Sequence, residues 1–307
     1  MRVGVMIPPG QDLALVPDFA RLVEDAGFDF IAAGEHLFFH GPVHNAFVAL
    51  AAAAAVTTQI RLLSALTIVP VYPAALVAKL AVDLDGLSGG RFDLGVGLGG
   101  EYPPELAAAG VDRSRRGRYT DETLGLLQEL FTGKPALSLG GLRLEPAPVQ
   151  SGGPRIWVGG RREAALRRTA RFGDVWFPYA VSPRHLKRGL AALAPLLEAH
   201  GRPPEAVSAG VFAWGVIAED SKSARSTAIQ TMRDIYRQDF TEIADQTLVT
   251  GTPAEVVDRI GTYRDHGAGD FLFAPAGPDA VTNFRMTMRF ASDVLPQLRA
   301  AATREDS

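Results

Sequence analysis

Two titratable side chains follow an apolar run near the start of the chain. Glu35 and His36 follow Phe28–Ala33 after the single residue Gly34 and precede the aromatic residues Phe38 and Phe39. Because an imidazole titrates close to neutral pH, His36 is a candidate general acid or base, and Glu35 could orient or charge it. The alternative is that both residues make only structural hydrogen bonds at the rim of the fold.

Two further histidines, His40 and His44, follow His36 at four-residue intervals. This spacing would suit metal binding on one helix face, but Gly41 and Pro42 interrupt a helix there. No carboxylate–histidine motif accompanies the three histidines, so we predict no metal site. The chain has no cysteine, which excludes disulfides, thiolate nucleophiles and cysteine-ligated metals.

Small residues at two places could leave space for a flat ring. Ser64 and Ala65 interrupt a run of Leu and Ile, although alanine also suits crowded strand packing. Gly97 and Gly99 follow another apolar run, and glycine lets a ligand approach the backbone closely. This glycine run has no P-loop lysine and does not match the dinucleotide fingerprint. We therefore consider these four residues candidate contacts of a cofactor ring.

A third apolar run ends in Gly159-Gly160-Arg161, and a helical pattern starts immediately afterwards. Free N–H groups at a helix N-terminus, two glycines and an arginine predict a phosphate site, with an ordinary tight turn as the alternative. A second basic cluster precedes another helix and contains Arg113, Arg115, Arg116 and Arg118. The cluster is typical of a solvated, salt-bridged surface, and the alternative is an electropositive rim for an anionic ligand tail.

The elements that must position these residues alternate regularly along the chain. Strands are predicted at Arg2–Ile7, Phe28–Ala33, Ile60–Val69, Phe92–Gly97, Arg155–Val158, Val175–Pro178, Val207–Ile217 and Gly269–Ala274. Helices are predicted at Val16–Ala26, Asn45–Thr57, Ala74–Leu87, Arg116–Phe131, Arg162–Phe172, Pro183–His200, Ser221–Tyr236, Pro253–His266 and Ala280–Ala301. Strands that are apolar on both faces and alternate with helices predict a parallel sheet. Eight such units predict a (β/α)8 TIM barrel, whose active site lies at the C-terminal ends of the strands.

Two small insertions interrupt this alternation. We expect a β-hairpin at Leu137–Leu144, before the fifth strand, and a loop or short helices at Asp239–Thr252, near the seventh unit. No linker composition marks a domain boundary, so residues 1–307 are expected to form a single domain. The polar tail Thr303–Ser307 is expected to be disordered.

The composition excludes several classes of protein. The 307 residues are 47% hydrophobic and 21% charged, and the net charge of -3 comes with dispersed basic residues, which argues against a nucleic-acid partner. The first apolar run stops at Pro8, and Ala46–Val56 is shorter than the about 20 residues that a membrane span needs. We therefore expect a cytoplasmic protein, without a signal peptide or a membrane segment, that acts on a small-molecule substrate.

Several blocks of the sequence, in this order, resemble the luciferase-like monooxygenase superfamily. They are Ile60–Pro70, Leu84–Gly97, Arg115–Arg118, Pro154–Gly160 and Gly173–Pro178. The resemblance spans essentially the whole chain. It implies a TIM barrel that binds either flavin mononucleotide (FMN) or the deazaflavin coenzyme F420. Members of the family are often dimers, so the resemblance also implies a homodimer.

The resemblance is greater to the F420-dependent group. In that group an acidic residue and a histidine follow the second strand, as Glu35 and His36 do here, and the histidine is implicated in proton or hydride transfer. A non-prolyl cis peptide presses on the deazaflavin in many members and would fall at Ala65-Leu66. Luciferases place an arginine for the FMN phosphate where this chain has Leu98. The resemblance thus implies an F420-dependent oxidoreductase that transfers a hydride to or from a small organic substrate.

Two alternatives to this function remain open. An FMN-dependent monooxygenase would receive reduced FMN from a partner flavin reductase and would consume oxygen. A non-catalytic flavin-binding relative would hold the cofactor without turnover, but it would need no titrating histidine such as His36. A deazaflavin carries carbon where a flavin has its oxygen-reactive nitrogen, and it therefore favours hydride chemistry.

Overall fold

The computed structural model describes the backbone of residues 1–305 and the side chains of residues 1–301. The tail Thr303–Ser307 was expected to be disordered, but its backbone is helical up to Glu305, and residues 306–307 lie outside the described residues. The strands are β1 (Arg2–Met6), β2 (Phe30–Ala33), β3 (Arg61–Ser64), β4 (Thr67–Ile68), β5 (Phe92–Gly97), β6 (Arg155–Gly159), β7 (Val175–Phe177), β8 (Ser208–Ile217), β9 (Val249–Gly251) and β10 (Ala268–Pro275).

Helices follow the strands along the chain. They are α1 (Val16–Asp25), α2 (Ala46–Ala54), α3 (Ala74–Ser88), α4 (Pro103–Ala108), α5 (Arg116–Leu130), α6 (Glu163–Phe172), α7 (Pro183–Ala199), α8 (Ser221–Tyr236), α9 (Ala244–Thr247), α10 (Pro253–Asp265), α11 (Ala280–Arg289) and α12 (Leu295–Glu305). A π-helical turn at Phe290–Val294 joins α11 to α12. One continuous helix was predicted over these last two elements.

The strands close into a parallel barrel in the order β1, β2, β3, β5, β6, β7, β8 and β10, and β10 pairs with both β8 and β1. Strand β4 continues the line of β3 and also pairs with β5. The predicted (β/α)8 TIM barrel is therefore confirmed. As the alternation predicts, the strand residues are almost all buried, because one face fills the barrel and the other supports the helices.

The helices cover the barrel because one face of each is apolar. In α1, for example, Val16, Phe19, Ala20 and Val23 are buried, at the spacing of a single helix face. Several helix starts are capped by side chains. The Asn45 side chain accepts a hydrogen bond from the Val48 N–H at the start of α2, and Thr252 and Glu255 form a capping box at the start of α10.

Ion pairs lie near the N-terminal ends of the strands, away from the end where the active site is expected. Arg2 donates to Asp270 at 2.6 Å, and Arg61 donates to Asp93 at 2.5 Å. Both carboxylates are almost fully buried, and Asp93 also accepts a hydrogen bond from Trp157 Nε1 at 3.2 Å. Buried carboxylates are tolerated only when paired in this way, so these contacts belong to the stability of the barrel.

The third predicted strand, Ile60–Val69, is in fact two strands. Between β3 and β4 the peptide bond Ala65-Leu66 is cis, at the position that the family resemblance implied. The two halves also pair differently, since β3 pairs with both β2 and β5, whereas β4 pairs with β5.

The insertions differ from the prediction in detail. No strand forms at Leu137–Leu144 among the described residues, and a 3-10 turn is closed by the single antiparallel bridge between Ala136 and Leu142. Gly140 and Gly141 adopt positive φ values, 67° and 87°, and reverse the chain too soon for a hairpin to extend. The segment Asp239–Thr252 contains the expected short helix, α9, and also β9, which was not predicted.

Among the described residues, none of the helices is both long and apolar enough to cross a membrane.

Candidate active site

A cavity of about 780 Å³ lies at the C-terminal ends of the strands, within the size range of small-molecule and cofactor sites. It is called the main cavity below. Nine of the ten residues predicted for the site line it: Glu35, His36, Ala65, Leu66, Gly97, Gly99, Gly159, Gly160 and Arg161. The exception is Ser64. The structure therefore places nine of the predicted residues around one cavity at the C-terminal end of the barrel.

His36 lies in the wall of the main cavity against two carboxylates. Its Nδ1 atom is 3.1 and 3.2 Å from the two carboxylate oxygens of Glu105, a fully buried residue of α4. Its Nε2 atom is 3.9 Å from Glu101. The imidazole also stacks on the Phe39 ring, with the ring centroids 4.2 Å apart. Three contacts thus hold the ring in one orientation.

Glu105 had no role in the sequence-based prediction. Its carboxylate also accepts hydrogen bonds from the backbone N–H groups of Leu37 at 2.6 Å and Phe38 at 3.3 Å. These bonds anchor the carboxylate to the loop that carries His36. An ionised carboxylate only accepts hydrogen bonds, so Nδ1 is the nitrogen that carries the proton when a neutral His36 donates to Glu105. Nε2 is then the nitrogen that can accept a proton.

Glu35 does not orient His36, contrary to the prediction. Its buried carboxylate accepts hydrogen bonds from Asn45 Nδ2 at 2.6 Å, from the Ile68 N–H at 3.0 Å and from the Tyr72 hydroxyl. It therefore ties β4 and the start of α2 to the end of β2. Burial raises the pKa of Glu35, and the hydrogen bonds from Tyr72 and Ile68 partly offset the rise.

Glu101 lines the main cavity on the other side of the His36 ring. Its side chain is 48% exposed. Desolvation at the cavity wall raises the pKa of Glu101, and the neighbouring His36 partly offsets the rise. The structure thus places a second carboxylate 3.9 Å from Nε2, one that the sequence-based prediction did not include.

The glycines of the fourth and fifth strands of the barrel, β5 and β6, make room for Leu66. A Cβ atom on Gly159 would overlap Leu66 Cδ1, and one on Gly97 would lie 3.2 Å from Leu66 Cβ. At Gly95 an added Cβ would overlap the Ser64 carbonyl oxygen. These glycines thus allow the Leu66 side chain to pack closely against the backbone of β5 and β6. Leu66 itself lines the main cavity.

Ser64 contributes to this packing and lies outside the cavity wall. Its buried hydroxyl accepts a hydrogen bond from the Gly95 N–H at 2.9 Å and is 3.2 Å from the Gly95 carbonyl oxygen. Ser64 was predicted to contact a cofactor ring, but its hydroxyl lies outside the cavity wall and both of its partners are backbone groups of Gly95 in β5. Gly99 and Gly160 line the cavity with positive φ values of 64° and 108°.

One end of the main cavity is cationic. It is lined by Arg116, Arg161, Arg162 and Arg168. Arg168 is paired with Asp121 at 2.6 Å, and Arg161 donates to the Ala180 carbonyl oxygen at 3.0 Å. The Nη1 atom of Arg116 is buried and has no hydrogen-bond partner among the described residues. A buried guanidinium nitrogen of this kind suits an anionic ligand group, since an unmade hydrogen bond there is costly.

Of the four clustered arginines in the sequence, the structure separates Arg116 from the rest. Arg116 faces the main cavity beside Gly100, whereas Arg118 forms an ion pair with Glu122 at 3.4 Å on the surface of α5. Helix α6 begins at Glu163 beside the same end of the cavity, with no side-chain cap on its first N–H groups. The fit to a phosphate therefore comes from Arg116, Arg161 and the uncapped helix start together.

Another part of the wall of the main cavity is aromatic. Phe177 and Tyr179 come from the end of β7, Phe212 and Trp214 from β8, and Tyr236 from the end of α8. The chain places Phe39 between this wall and His36, because the Phe39 ring stacks on His36 and meets the Tyr236 ring edge-on at 5.8 Å. A flat apolar ligand in this cavity thus has both aromatic surface and Leu66 among its neighbours.

The remaining histidines of the loop do not join His36. His44 Nε2 donates to the Gln11 carbonyl oxygen at 2.5 Å, and His40 packs edge-on against Tyr102. Within the part of the chain that is described, no group of three or more His, Cys, Asp or Glu side chains could hold a metal ion.

Comparison with known proteins agrees with this arrangement. The sequence profile of the luciferase-like monooxygenases matches residues 1–270. The chain belongs to this family. An uncharacterized protein of Mycobacterium tuberculosis is 35% identical over 185 residues, which cover 58% of this chain and 63% of that protein. The 4-hydroxyprotoasukamycin monooxygenase of Streptomyces nodosus is 29% identical, over 57% of this chain and 50% of the relative. The matches thus span less than two thirds of these relatives.

Solved structures of the same fold include enzymes with different cofactors. The monooxygenase RslO1 from Streptomyces bottropensis superposes with a TM-score of 0.82 at 24% identity, over 97% of this chain and 99% of that chain. An F420-dependent secondary alcohol dehydrogenase with an F420-acetone adduct gives 0.80 at 17% identity, with the same coverage. The FMN-bound oxygenating constituent of 3,6-diketocamphane monooxygenase from Pseudomonas putida gives 0.76 at 16%, over 97% and 98%. At these identities the likeness establishes the fold alone.

Proposed function

We propose that this chain is an F420-dependent oxidoreductase that transfers a hydride between the deazaflavin and a small organic substrate. The observation that carries the proposal is the His36 imidazole, held in the cavity wall by a fully buried Glu105 at 3.1 Å. A protein that only stores a flavin has no use for so firmly oriented a titrating group. Hydride transfer to or from a carbon–oxygen bond needs a proton donor or acceptor beside it.

In this proposal His36 moves a proton at Nε2. Glu105 holds Nδ1 and stabilises the positive charge that the ring acquires when Nε2 is protonated. Glu101, 3.9 Å from Nε2, could relay that proton toward the cavity mouth. Glu35 anchors the start of the loop through its hydrogen bonds to Asn45, Tyr72 and the Ile68 N–H, and it takes no part in the proton transfer.

The residues of the main cavity fit F420. Ala65 and Leu66 would press on the ring, and Arg116 with Arg161 would bind the phosphate beside the start of α6. When bound, a deazaflavin gives or takes a hydride and reacts poorly with oxygen. The apolar Leu98 lines the cavity at the position where the resemblance to luciferases implied an arginine for FMN. This substitution favours F420 over FMN.

The cofactor can be identified by titrating the purified protein with F420 and with FMN and following fluorescence or heat. We expect micromolar or tighter F420 binding and weaker FMN binding, with Arg116→Met reducing F420 affinity about tenfold or more, as for a lost charged hydrogen bond. The matched control is Arg118→Met, which removes a surface arginine of the same helix. Tight binding of FMN alone would overturn the cofactor assignment.

The proton-transfer role can be tested with His36→Ala and Glu105→Gln. We expect His36→Ala to lower turnover by about 100-fold or more while F420 affinity stays nearly unchanged, because general acid–base catalysis contributes on that scale. Glu105→Gln should lower turnover less, and the exposed His200→Ala should not change it. Undiminished turnover in His36→Ala would remove His36 from the mechanism.

An FMN-dependent monooxygenase is the second candidate. It is favoured by two relatives that are monooxygenases, from Streptomyces nodosus and Streptomyces bottropensis. This function would require reduced FMN from a partner flavin reductase. Oxygen uptake coupled to product formation, when reduced FMN is supplied, would establish it, and an absence of oxygen uptake would exclude it.

We also propose that the chain forms one domain over residues 1–307 and works as a homodimer in the cytoplasm. The support is the family resemblance together with exposed apolar side chains on two neighbouring helices, Val48 on α2 and Leu76 on α3. Light scattering should give twice the chain mass of 32.7 kDa. A single chain mass at micromolar concentration would contradict the dimer.

A further inference from the structure

One polar group in the aromatic wall has no role in the function proposed above. The Tyr179 hydroxyl is buried and has no partner in hydrogen-bonding geometry among the described residues, although Tyr179 lines the main cavity. Leaving a buried hydroxyl unpaired costs about 1–3 kcal/mol. Such a group persists when a ligand completes its hydrogen bonding.

The backbone holds Tyr179 in place from both sides. Tyr179 pairs with Phe212 of β8 through a single parallel bridge. The next residue, Ala180, has a φ of 50°, a left-handed conformation that is uncommon for any residue except glycine. Arg161 donates to the Ala180 carbonyl oxygen at 3.0 Å and stabilises this turn. Strained backbone fixed by a specific contact is typical of functional sites.

A second tyrosine supports the first. The rings of Tyr179 and Tyr236 are 6.0 Å apart, and Trp214 Nε1 donates to the Tyr236 hydroxyl at 3.1 Å. Burial raises the pKa of both phenols. The adjacent Tyr236 raises the pKa of Tyr179 further, and the charge of Glu101 raises the pKa of both. Both hydroxyls therefore stay protonated at physiological pH, and each can donate a hydrogen bond.

The tyrosine pair borders the same part of the main cavity as His36. The Phe39 ring bridges them, since it stacks on His36 and contacts Tyr236. A smaller cavity of about 260 Å³ adjoins this wall and shares Phe39, Trp214 and Ile235 with the main cavity. The phosphate end is built from Arg116 of α5 and from Arg161, whose guanidinium reaches the turn at Ala180 next to Tyr179. The aromatic side chains beyond that turn, Phe212, Trp214 and Tyr236, offer a surface for a second ligand beside the cofactor.

We propose that the Tyr179 hydroxyl donates a hydrogen bond to the carbonyl or hydroxyl oxygen of the substrate, with Tyr236 as its positioning residue. The aromatic wall would hold an apolar body, and the Glu101 carboxylate would disfavour an anionic one. The substrate class is therefore a neutral, largely apolar ketone or secondary alcohol. This inference rests on the proposed hydride transfer, because such a reaction places the carbon–oxygen bond near His36.

The test compares two probes of nearly equal shape, acetophenone and α-methylstyrene, of which only the ketone has an oxygen. Affinities are measured by tryptophan fluorescence, with and without F420. We expect the wild type to bind acetophenone about tenfold more tightly, the value of one good hydrogen bond. Tyr179→Phe should abolish this preference. Tyr102→Phe, which alters a phenol outside the main cavity, should keep it.

Two results would overturn the inference. The first is that Tyr179→Phe still binds acetophenone more tightly than α-methylstyrene. The second is that the wild type itself binds both probes with equal affinity. The F420 titration tests the proposed cofactor independently, so a failure of the substrate inference can be distinguished from a failure of the proposed function. A preference that depends on Tyr179 in a protein that binds only FMN would leave the substrate site standing and refute the cofactor.

Discussion

Replacing Gly159 by alanine tests whether the glycines of β5 and β6 exist to accommodate Leu66. An added Cβ would overlap Leu66 Cδ1 and lie 3.2 Å from the Val96 carbonyl oxygen. Because the main obstacle is the end of a flexible side chain, Leu66 can turn aside, but it loses its packing. Overpacking of this kind costs about 1–3 kcal/mol. We expect Gly159→Ala to lower the free energy of unfolding by about 2 kcal/mol.

Two neighbouring glycines provide a graded comparison. At Gly95 the added Cβ would overlap the Ser64 carbonyl oxygen, which is backbone and cannot turn aside, so we expect a loss of about 4 kcal/mol or a failure to fold. At Gly97 the nearest atom is Leu66 Cβ at 3.2 Å, a contact that small shifts relieve. Gly97→Ala should therefore cost under about 1 kcal/mol.

A double-mutant cycle decides whether Leu66 is the cause. Leu66→Ala removes the obstacle, so the combined Gly159→Ala/Leu66→Ala variant should be about 1–2 kcal/mol more stable than the sum of the single changes. Leu66→Ala should not rescue Gly95→Ala. Urea unfolding followed by circular dichroism measures all of these variants. Additivity at Gly159 within about 0.5 kcal/mol would refute the packing argument.

Three further predictions concern the charged groups. Arg61→Met leaves the buried Asp93 without its cation and should lower the free energy of unfolding by about 3 kcal/mol. The control Arg21→Ala breaks an exposed ion pair and should change the free energy of unfolding by under about 0.5 kcal/mol. Urea unfolding distinguishes these two values. Burial raises the pKa of Glu35 above its ordinary value of 4.5. The free energy of unfolding of the wild type should therefore exceed that of Glu35→Gln by most below pH 4.5, and this difference should shrink as the pH rises through the folded pKa. A difference in stability that does not vary with pH would contradict this prediction. Glu101→Gln should bind benzoate several-fold more tightly than the wild type in a fluorescence titration, since one like charge is removed, and an unchanged affinity would show that this carboxylate does not face the substrate.

The barrel could be predicted because its signal is repeated. Each strand is apolar on both faces and each helix on one, so eight successive units point to the same architecture even where single boundaries are wrong. The errors fall where this periodicity is absent. Helix α4 has only six residues after Tyr102 and begins with two prolines, and β9 has three residues in an irregular segment.

The candidate site was predictable only in part. Residues at or just after the ends of strands, such as Gly159 and His36, could be found because the end of a strand fixes their place at the rim. Glu105 could not, since it lies 69 residues from His36 on a helix that had not been predicted. Its contact with the imidazole depends on the path of a loop, which residue types alone do not determine.

Residue type also left the roles of correctly located residues ambiguous. Glu35 was the obvious partner for His36 from its position, yet its side chain turns to Tyr72 and the Ile68 N–H. Adjacent residues of extended chain point in opposite directions, so neighbours in sequence are rarely partners in space. Arg116 was one of four similar arginines, and only its burial distinguishes it.

The closure of the barrel has a consequence for how the chain is made. Arg2 meets Asp270, 268 residues later in the sequence, and β1 has no partner on that side until β10 exists. During synthesis the growing sheet therefore carries open edges, which can pair with other chains, until β10 has left the ribosome. Loss of the last strand would leave β1 and β8 exposed along one side. A barrel that lacks β10 would therefore remain an open sheet with two edges that can aggregate.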